Sequence, residues 1–521
     1  MADDIIKELL GKSKEAFDNN NFELSIEYLE KILFYQEDNY KIYYLIGINK
    51  NHLKQYEEAI RNLNKAIELN PNYKEAKQAL KRTENDLDIH NFINNNSLIE
   101  NDSGKDSRYY FDKALKFYDE GKYKESIVYY SKTIELEPNY IYAYYNRGIA
   151  KTELQQYKEA VKDYDKAIEL DSSNPEYYNN RGNAKADLYQ YEEAIKDYNK
   201  AIELNNNDSL AYFYKGKAKA DLYQYEEAIK DYDKAIELNN NDPLAYFYRG
   251  TAKFNLQKYE EAIKDYDKDI ELNNNDSLDY FCRGNAKLNL QQYEEAIKDY
   301  DKAIELDHND LYAYYNRADA KINLQQYEEA IKDFCKCIET YKSDIHAYNQ
   351  IGFCKIKLAN IDLKNNNISK AKELLNESIE YCSKGIKIVN YNAEIYDTRG
   401  YAKTKLANIE RYNGNIKKAV KMYNDCLKDF CKVEELGKEI PETFNSIGYI
   451  KNILANIQKG SISDEEYKKL KSESLENFEK AYKISNDKLK PKMEKYLIKL
   501  AKENDSVGIE FCYRNDIDYS K

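Results

Sequence analysis

Proline and glycine are scarce in this chain. Six prolines and 17 glycines among 521 residues leave long stretches free to form helix, because these two residues disfavour a helix interior most strongly. Long apolar runs are missing as well, and without a run of about 18 apolar residues the sequence predicts no membrane-spanning helix. Residues Met1 to Lys7 lack the basic start and apolar core of a secretory signal. We therefore expect a soluble, cytoplasmic protein.

An excess of positive charge is absent, and histidine is scarce. The net charge of -13 and the pI near 5.2 argue against nucleic acid or an anionic membrane as the main partner. The four histidines are scattered, at His52, His90, His308 and His346. No Ser/His/Asp arrangement, metal-spaced cluster or Gly-rich phosphate loop accompanies them. The sequence therefore predicts no catalytic residues, no cofactor and no metal site.

Tryptophan and CxxC pairs are absent, whereas tyrosine occurs 54 times. The tyrosines could form an aromatic binding surface, but most of them fall in repeating positions that a helical hairpin must bury. Of the eight cysteines, Cys337 and Cys426 stand where other repeats have alanine, and Cys354 replaces the alanine two after a glycine. We expect buried, reduced thiols that act as small apolar residues.

What the sequence has in abundance is a repeat. A glycine recurs every 34 residues, with one alanine in its place, at Gly148, Gly182, Gly216, Gly250, Gly284, Ala318 and Gly352. Within each unit, apolar and small residues recur at spacings of three and four, which is the helical period. A fixed period of this length indicates an array of similar units. Each unit is predicted to form two antiparallel helices, with the glycine and alanines allowing their close approach.

The period then lengthens. Gly352, Gly400 and Gly448 are 48 residues apart, so each of these units has gained 14 residues at the hairpin tip. Shared as seven per helix, the insertion adds about two turns to each helix and keeps the apolar stripe on nearly the same face. We predict five segments: two repeats and a capping helix (1–90), a polar linker (91–106), seven 34-residue repeats (107–344), three 48-residue repeats (345–488), and a capping helix with a loose tail (489–521).

The 34-residue units resemble tetratricopeptide repeats. In the unit that begins at residue 141, the matching positions are Tyr144, Arg147, Gly148, Lys151, Ala160, Tyr164 and Ala167, and the turn proline of the family survives at Pro71 and Pro138. The resemblance implies an all-α fold, a right-handed α-solenoid (superhelix) of helix-turn-helix repeats with elongated repeats at the C-terminal end. It also implies a concave groove, lined mostly by first helices, that binds peptides or protein segments.

One departure from the family pattern can be tested within the chain. Where the family has leucine before the glycine, seven units carry Arg147, Arg181, Lys215, Arg249, Arg283, Arg317 and Arg399, and the same units carry Asp163, Asp197, Asp231, Asp265, Asp299, Asp333 and Asp429. Units with Ile46, Ile351 or Ile447 instead carry Asn62, Tyr381 and Asn477. Because a half-buried charge needs its partner, we predict a ladder of Arg–Asp pairs, within or between units. The alternative is a row of arginines that binds anions.

Binding residues are sought where the repeats differ. Three positions on the first helix vary among units: three before the glycine, one after it and four after it. The first and last are seven apart and share a helix face, and from 247 to 322 they form an apolar lane of the kind that marks interaction sites. The alternative is that they pack against neighbouring units. The predicted partner-contact residues are Phe213, Lys217, Phe247, Thr251, Phe254, Phe281, Asn285, Leu288, Tyr315, Asp319 and Ile322.

Some members of the family hold acidic chaperone tails with two asparagines and three cations. The matching positions here are Phe281, Asn285, Asn316, His346 and Gln350, so both asparagines are present and all three cations are missing. An acidic tail would gain no charge-assisted bonds there. The sequence favours a non-enzymatic scaffold or adaptor that binds a protein or peptide segment, and the alternative is a self-assembling repeat protein that forms a homo-oligomer.

Overall fold

The computed structural model describes residues 2–36, 38–94, 104–273, 276–486, 489–515 and 517–519. The chain divides into two compact units, Met1–Leu256 and Gln257–Lys521. Each unit is a stack of helical hairpins, and the described residues contain helices, turns and bends but no β-strand. The predicted all-α solenoid is confirmed at this level, within each unit.

The first unit contains six helical hairpins and a capping helix. One more helix, the last of the unit, occupies the first-helix position of a repeat. The bounds of these helices are α1 Ala2–Asp18, α2 Phe22–Leu33, α3 Tyr40–His52, α4 Tyr56–Leu69, α5 Lys74–Asn94, α6 Ser107–Asp119, α7 Tyr123–Leu136, α8 Ile141–Glu153, α9 Tyr157–Leu170, α10 Pro175–Asp187, α11 Tyr191–Leu204, α12 Ser209–Asp221, α13 Tyr225–Leu238 and α14 Pro243–Asn255. Helix α5 enters the segment predicted as a linker, and residues 95–103 of that segment lie outside the described residues.

The second unit continues the pattern and ends in longer hairpins. The bounds of its helices are α15 Tyr259–Leu272, α16 Ser277–Asn289, α17 Tyr293–Leu306, α18 Leu311–Asn323, α19 Tyr327–Thr340, α20 Ile345–Lys364, α21 Ile368–Ile388, α22 Ala393–Tyr412, α23 Ile416–Glu435, α24 Pro441–Gln458, α25 Asp464–Ile484, α26 Lys490–Lys502 and α27 Ser506–Arg514. No helix among the described residues is both long and apolar enough to cross a membrane.

The hairpins form where the sequence places caps and tip residues. The side chains of Asn174, Asp208 and Asp242 each accept a hydrogen bond from a free backbone N–H at the start of a first helix. At the tips, residues such as Gln155 and Tyr223 take positive φ angles of 60° and 61°, which reverses the chain direction. The polar runs between units are therefore turns and caps, as their fixed spacing indicates.

The glycine at the centre of each unit is required by the close approach of its two helices. A Cβ atom added at Gly148 would lie 2.6 Å from the Tyr164 ring, and one added at Gly400 would lie 2.8 Å from the Phe430 ring. In the first long hairpin, α20 and α21 have 20 and 21 residues where α18 and α19 have 13 and 14. The predicted gain of seven residues per helix is confirmed there.

The C-terminal tail differs from the prediction. The capping helix α26 is present, but the residues after it, expected to be loose, form the further helix α27. Val507 and Phe511 lie four residues apart and are both buried, and a Cβ on Gly508 would lie 2.4 Å from the Ala501 backbone nitrogen. The prediction was wrong because a helix of nine residues gives too short an apolar pattern to recognise.

The Arg–Asp ladder is confirmed, both within and between hairpins. Arg317 donates through Nε and Nη2 to both carboxylate oxygens of Asp333, at 3.0 and 2.6 Å, and through Nη1 to Asp301 of the preceding hairpin at 2.6 Å. Lys321, which the sequence reading missed, adds a third contact to Asp333 at 2.8 Å. The same two-cation pattern surrounds Asp163, Asp197, Asp231, Asp299 and Asp429.

Two buried aspartates that do not belong to the ladder lie between α15 and α16. Asp269 and Asp279 are 3% and 4% exposed and share a side-chain hydrogen bond. In the two neighbouring repeats the corresponding positions are Ala235 with Ala245 and Ala303 with Ala313. Burial raises the pKa of Asp279 from 3.8 to about 6, the hydrogen bond from Asp269 opposes this rise, and the charge of Asp276 adds to it. The two carboxyls therefore share a proton in mildly acidic solution.

Three cysteines occupy the buried positions that their places in the repeats predict. All eight are free thiols, and Cys337, Cys354 and Cys426 are fully buried in the positions that other repeats fill with small residues. Burial raises the pKa of each of these three thiols to about 12. They are therefore un-ionised at neutral pH, and the prediction of thiols acting as small apolar residues is confirmed for them.

Candidate functional site

The predicted contact residues of the first unit differ in exposure. Phe213 is only 5% exposed and packs in a core cluster with Tyr232 and Ala252. Lys217 is exposed on α12, with its Nζ 5.6 Å from the centre of the Tyr248 ring. Phe247, Thr251 and Phe254 are partly buried along α14. Phe213 is therefore a core residue, whereas the other four remain accessible.

In the second unit, three of the predicted residues contact the second helix of their own hairpin, and two of them, Asn285 and Tyr315, also contact the next hairpin. The Phe281 ring lies 6.1 Å from that of Tyr300, and the Tyr315 ring lies 5.7 Å from that of Phe334. Asn285 accepts hydrogen bonds through Oδ1 from Tyr300 at 2.9 Å and from Asn316 at 2.7 Å. For Asn285 and Tyr315 the contacts agree with the packing alternative, and the asparagine pair is already occupied by its own hydrogen bonds.

The other three, Leu288, Asp319 and Ile322, line one cavity of about 730 Å³. It lies on the first helices of four successive hairpins, α16, α18, α20 and α22. The remaining lining residues are Tyr293, Asn323, Asn349, Gln350, Phe353, Glu394, Asp397, Thr398 and Ile440. The walls combine apolar side chains with a larger number of polar ones, and three of the polar ones are carboxylates.

The carboxylates on this cavity are acidic groups in partly desolvated positions. Burial raises the pKa of Asp397 to about 6, a hydrogen bond from Thr443 to its Oδ1 at 2.5 Å opposes the rise, and the charge of Glu442 adds to it. Burial also raises the pKa of Asp319, while the nearby His346 lowers it. Glu394 is exposed at the edge of the cavity. Within the described ranges, no lysine or arginine forms an ion pair with any of these three carboxylates.

One further polar atom in the lining is unsatisfied. The Oδ1 atom of Asn349 is buried and has no hydrogen-bond partner among the described residues. A buried amide oxygen without a donor is uncommon, because leaving it unpaired costs about 1–3 kcal/mol. The cavity therefore offers negative charge and one unsatisfied acceptor, and no described lysine or arginine is paired with its carboxylates.

The sequence reading missed Asn349 and Asp397, although a signal was present. Each stands three residues before its glycine, Gly352 and Gly400, which is the first of the three variable positions used in the shorter units. The 34-residue period still holds at Gly352, so Asn349 was in register and was overlooked, whereas the change to 48 residues displaced Asp397. Applying the rule of three residues before the glycine to the long repeats identifies both residues.

The site shows no arrangement for metal chemistry. In the part of the chain that the structure describes, no three His, Cys, Asp or Glu side chains come together in a way that could hold a metal ion. The carboxylates of the cavity act instead as separate charges along a partly apolar surface. Such a surface suits the binding of a polar or cationic group.

Family models match the repeats that the helices define. The TPR repeat model matches residues 114–155, 150–188, 182–222 and 219–257, and tetratricopeptide repeat models match residues 40–73, 243–276, 279–310 and 299–332. Together with the hairpins at those positions, these matches show that the chain belongs to the tetratricopeptide repeat proteins. Proteins of this family generally mediate protein–protein interaction. The long hairpins from residue 345 onward lie outside the matched segments.

Solved structures resemble parts of the chain. YrrB, described as a TPR protein with an unusual peptide-binding site, is 26% identical and covers 35% of this chain and 95% of its own, with a TM-score of 0.32. MamA of Desulfovibrio magneticus RS-1 is 22% identical and covers 33% and 96%, with a TM-score of 0.32. The C-terminal part of a TPR protein from Cytophaga hutchinsonii is 20% identical and covers 49% and 98%, with a TM-score of 0.41. No curated protein matches the chain.

Proposed function

We propose that the chain is a non-enzymatic scaffold or adaptor that binds a segment of a partner protein in the cavity of the second unit. The observation that carries this proposal is the cavity of about 730 Å³ on α16, α18, α20 and α22. A cavity of that volume lies within the range of about 300–1,000 Å³ typical of binding sites. The eight free cysteines support a reducing compartment, for which we propose the cytoplasm.

An extended or helical protein segment fits this lining better than a small molecule. The lining residues are distributed over four successive first helices, so a ligand that contacts them all must itself extend along the row. Leu288, Ile322 and Phe353 supply apolar contact area. The polar residues between them can form hydrogen bonds that select particular side chains of the partner. We retain Lys217, Phe247, Thr251 and Phe254 as proposed contact residues of the first unit, and leave out the buried Phe213.

The proposal predicts that apolar cavity residues carry affinity. Peptides selected from a random display library on the full-length chain should lose about tenfold or more in affinity when Leu288→Ala and Ile322→Ala are combined, because truncating two apolar anchors removes buried contact area. Isothermal titration calorimetry measures the change. Tyr223→Ala is the control, since Tyr223 is 80% exposed at a hairpin tip of the first unit.

Unchanged affinity in the double variant would overturn the assignment of the cavity. Light scattering of the free chain separates this proposal from self-assembly. A monomer at high concentration is the expected result, whereas a dimer that the same double variant dissociates would place a second copy of the chain in the cavity.

A further inference from the structure

We propose that the segment bound in this cavity is basic and presents lysine or arginine side chains to Asp319 and Asp397, with apolar residues beside them. This inference rests on the proposed function and specifies the chemistry of the partner. The family's known acidic-tail clamp would need cations in the groove, and the corresponding positions of this chain supply none.

The contrast with the ladder carries the first part of the argument. Six ladder aspartates, those named above, each have two cations against them: Asp299, for example, lies 2.6 Å from Arg283 and 2.7 Å from Lys287. Asp319 and Asp397 are also partly buried, yet no described lysine or arginine pairs with them. Since a partly desolvated carboxylate is stabilised by an opposite charge, these two positions are complementary to a cation that the chain itself does not provide.

Asn349 provides a second, independent observation. Its buried Oδ1 accepts no hydrogen bond within the described residues, and the residue lines the same cavity. A lysine ammonium or an arginine guanidinium carries only donors, so it can satisfy carboxylate and amide oxygens together. An acidic ligand would instead add negative charge to the site.

The apolar walls fit the rest of a basic side chain. Leu288, Ile322 and Phe353 line the cavity beside the carboxylates, and the methylene stem of lysine or arginine packs on apolar surface while its charged end reaches polar groups. Few positively charged side chains lie near these carboxylates. His346 acts on Asp319, and the Nζ of Lys357 lies 4.7 Å from the centre of the Phe353 ring. Glu394 and Glu442 add negative charge near Asp397.

The test is a double-mutant cycle between peptide and full-length chain. In a peptide selected as above, each lysine or arginine is replaced in turn by norleucine, which keeps the stem and removes the charge. At one basic position, the replacement should weaken binding to the wild-type chain about tenfold or more. In the variant Asp319→Asn plus Asp397→Asn, the same replacement should have little effect. Glu294→Gln plus Glu328→Gln, which removes two exposed charges from second helices, should behave as the wild type.

The pH dependence supplies a second readout. Because the pKa of Asp397 is raised to about 6, the carboxylate gains its charge between pH 5 and 7.5. The affinity of the basic peptide should therefore rise over that range, and the affinity of the norleucine peptide should stay nearly constant. Circular dichroism melting of the Asp→Asn variant checks that it remains folded.

Two outcomes distinguish this inference from the proposed function. If binding depends on Leu288 and Ile322 but no basic position matters, or if the selected peptides are acidic, the basic-segment inference is overturned and the cavity assignment stands. If binding does not depend on Leu288 and Ile322, both fail.

Discussion

At the scale of single residues, the chain uses aspartate in two opposite ways. In the ladder, a buried aspartate such as Asp333, 4% exposed, is fully occupied by Arg317 and Lys321. In the cavity, Asp319 and Asp397 have no such cation among the described residues. The first kind of aspartate holds a hairpin together, and the second kind leaves charge available to a ligand. Partner contacts, rather than burial alone, separate structural from binding carboxylates here.

The ladder makes a prediction at this scale. Arg317→Ile should lower the opening free energy of α18 and α19 by about 3 kcal/mol, because it leaves the buried carboxylate of Asp333 with only one cation and removes the ion pair to the exposed Asp301. Adding Asp333→Asn should restore most of the loss, since the hairpin from residue 40 naturally carries Ile46 with Asn62. Hydrogen exchange of amides in these two helices measures both effects. An equal loss in the single and double variants would contradict the pairing.

At the scale of helices and hairpins, the sequence predicted most of what the structure contains. The glycine period located each pair of helices, and the Asn- and Asp-rich runs located their caps. Helix α27 was missed because its apolar pattern is only nine residues long. Phe213 was misplaced because its ring packs against that of Tyr248 on the next first helix, 5.5 Å away, where the following repeats have Cys282 and Asn316. Whether a side chain at this position is buried depends on the residue opposite it in the next repeat, and the repeat period does not specify that residue.

The same limit applies to the site. Leu288, Asp319 and Ile322 were found because they occupy positions that vary among otherwise similar repeats. Asn349 and Asp397 were missed where the repeat length changes. That four helices enclose a cavity, and that its carboxylates lack cations, depends on side-chain contacts across repeats.

The pair of buried acids between α15 and α16 predicts a pH effect. The pKa of Asp279 is raised from 3.8 to about 6, so between these values the folded state holds a proton that the unfolded state has released. Stability therefore falls as pH rises through this window. Asp269→Ala plus Asp279→Ala, which restores the alanines of the neighbouring repeats, should stabilise the chain by about 2 kcal/mol at pH 7.5 and by much less at pH 4.5.

Thermal denaturation of the wild type and the double variant at both pH values measures this difference. Ser277→Ala, at the start of α16, is a control that leaves both acids in place. A stabilisation of the same size at both pH values would show that the two carboxyls do not share a proton.

At the scale of the whole molecule, the chain is a tetratricopeptide repeat protein whose charge matches its proposed partner. The net charge of -13 attracts a basic segment from a distance and repels an acidic one. Association with a basic peptide should therefore slow as salt is added, because screening acts mainly on the rate of encounter. The hairpin geometry that repeats along the chain provides the scaffold, and the residues that differ between neighbouring repeats provide the recognition.

The central claim is that the cavity on four first helices of the second unit binds a protein segment. Hydrogen–deuterium exchange of the full-length chain, with and without a saturating selected peptide, tests it most directly. The expected result is protection concentrated in α16, α18, α20 and α22, and lost when Leu288→Ala and Ile322→Ala are introduced. Protection confined to the second helices, or to the first unit alone, would contradict the claim.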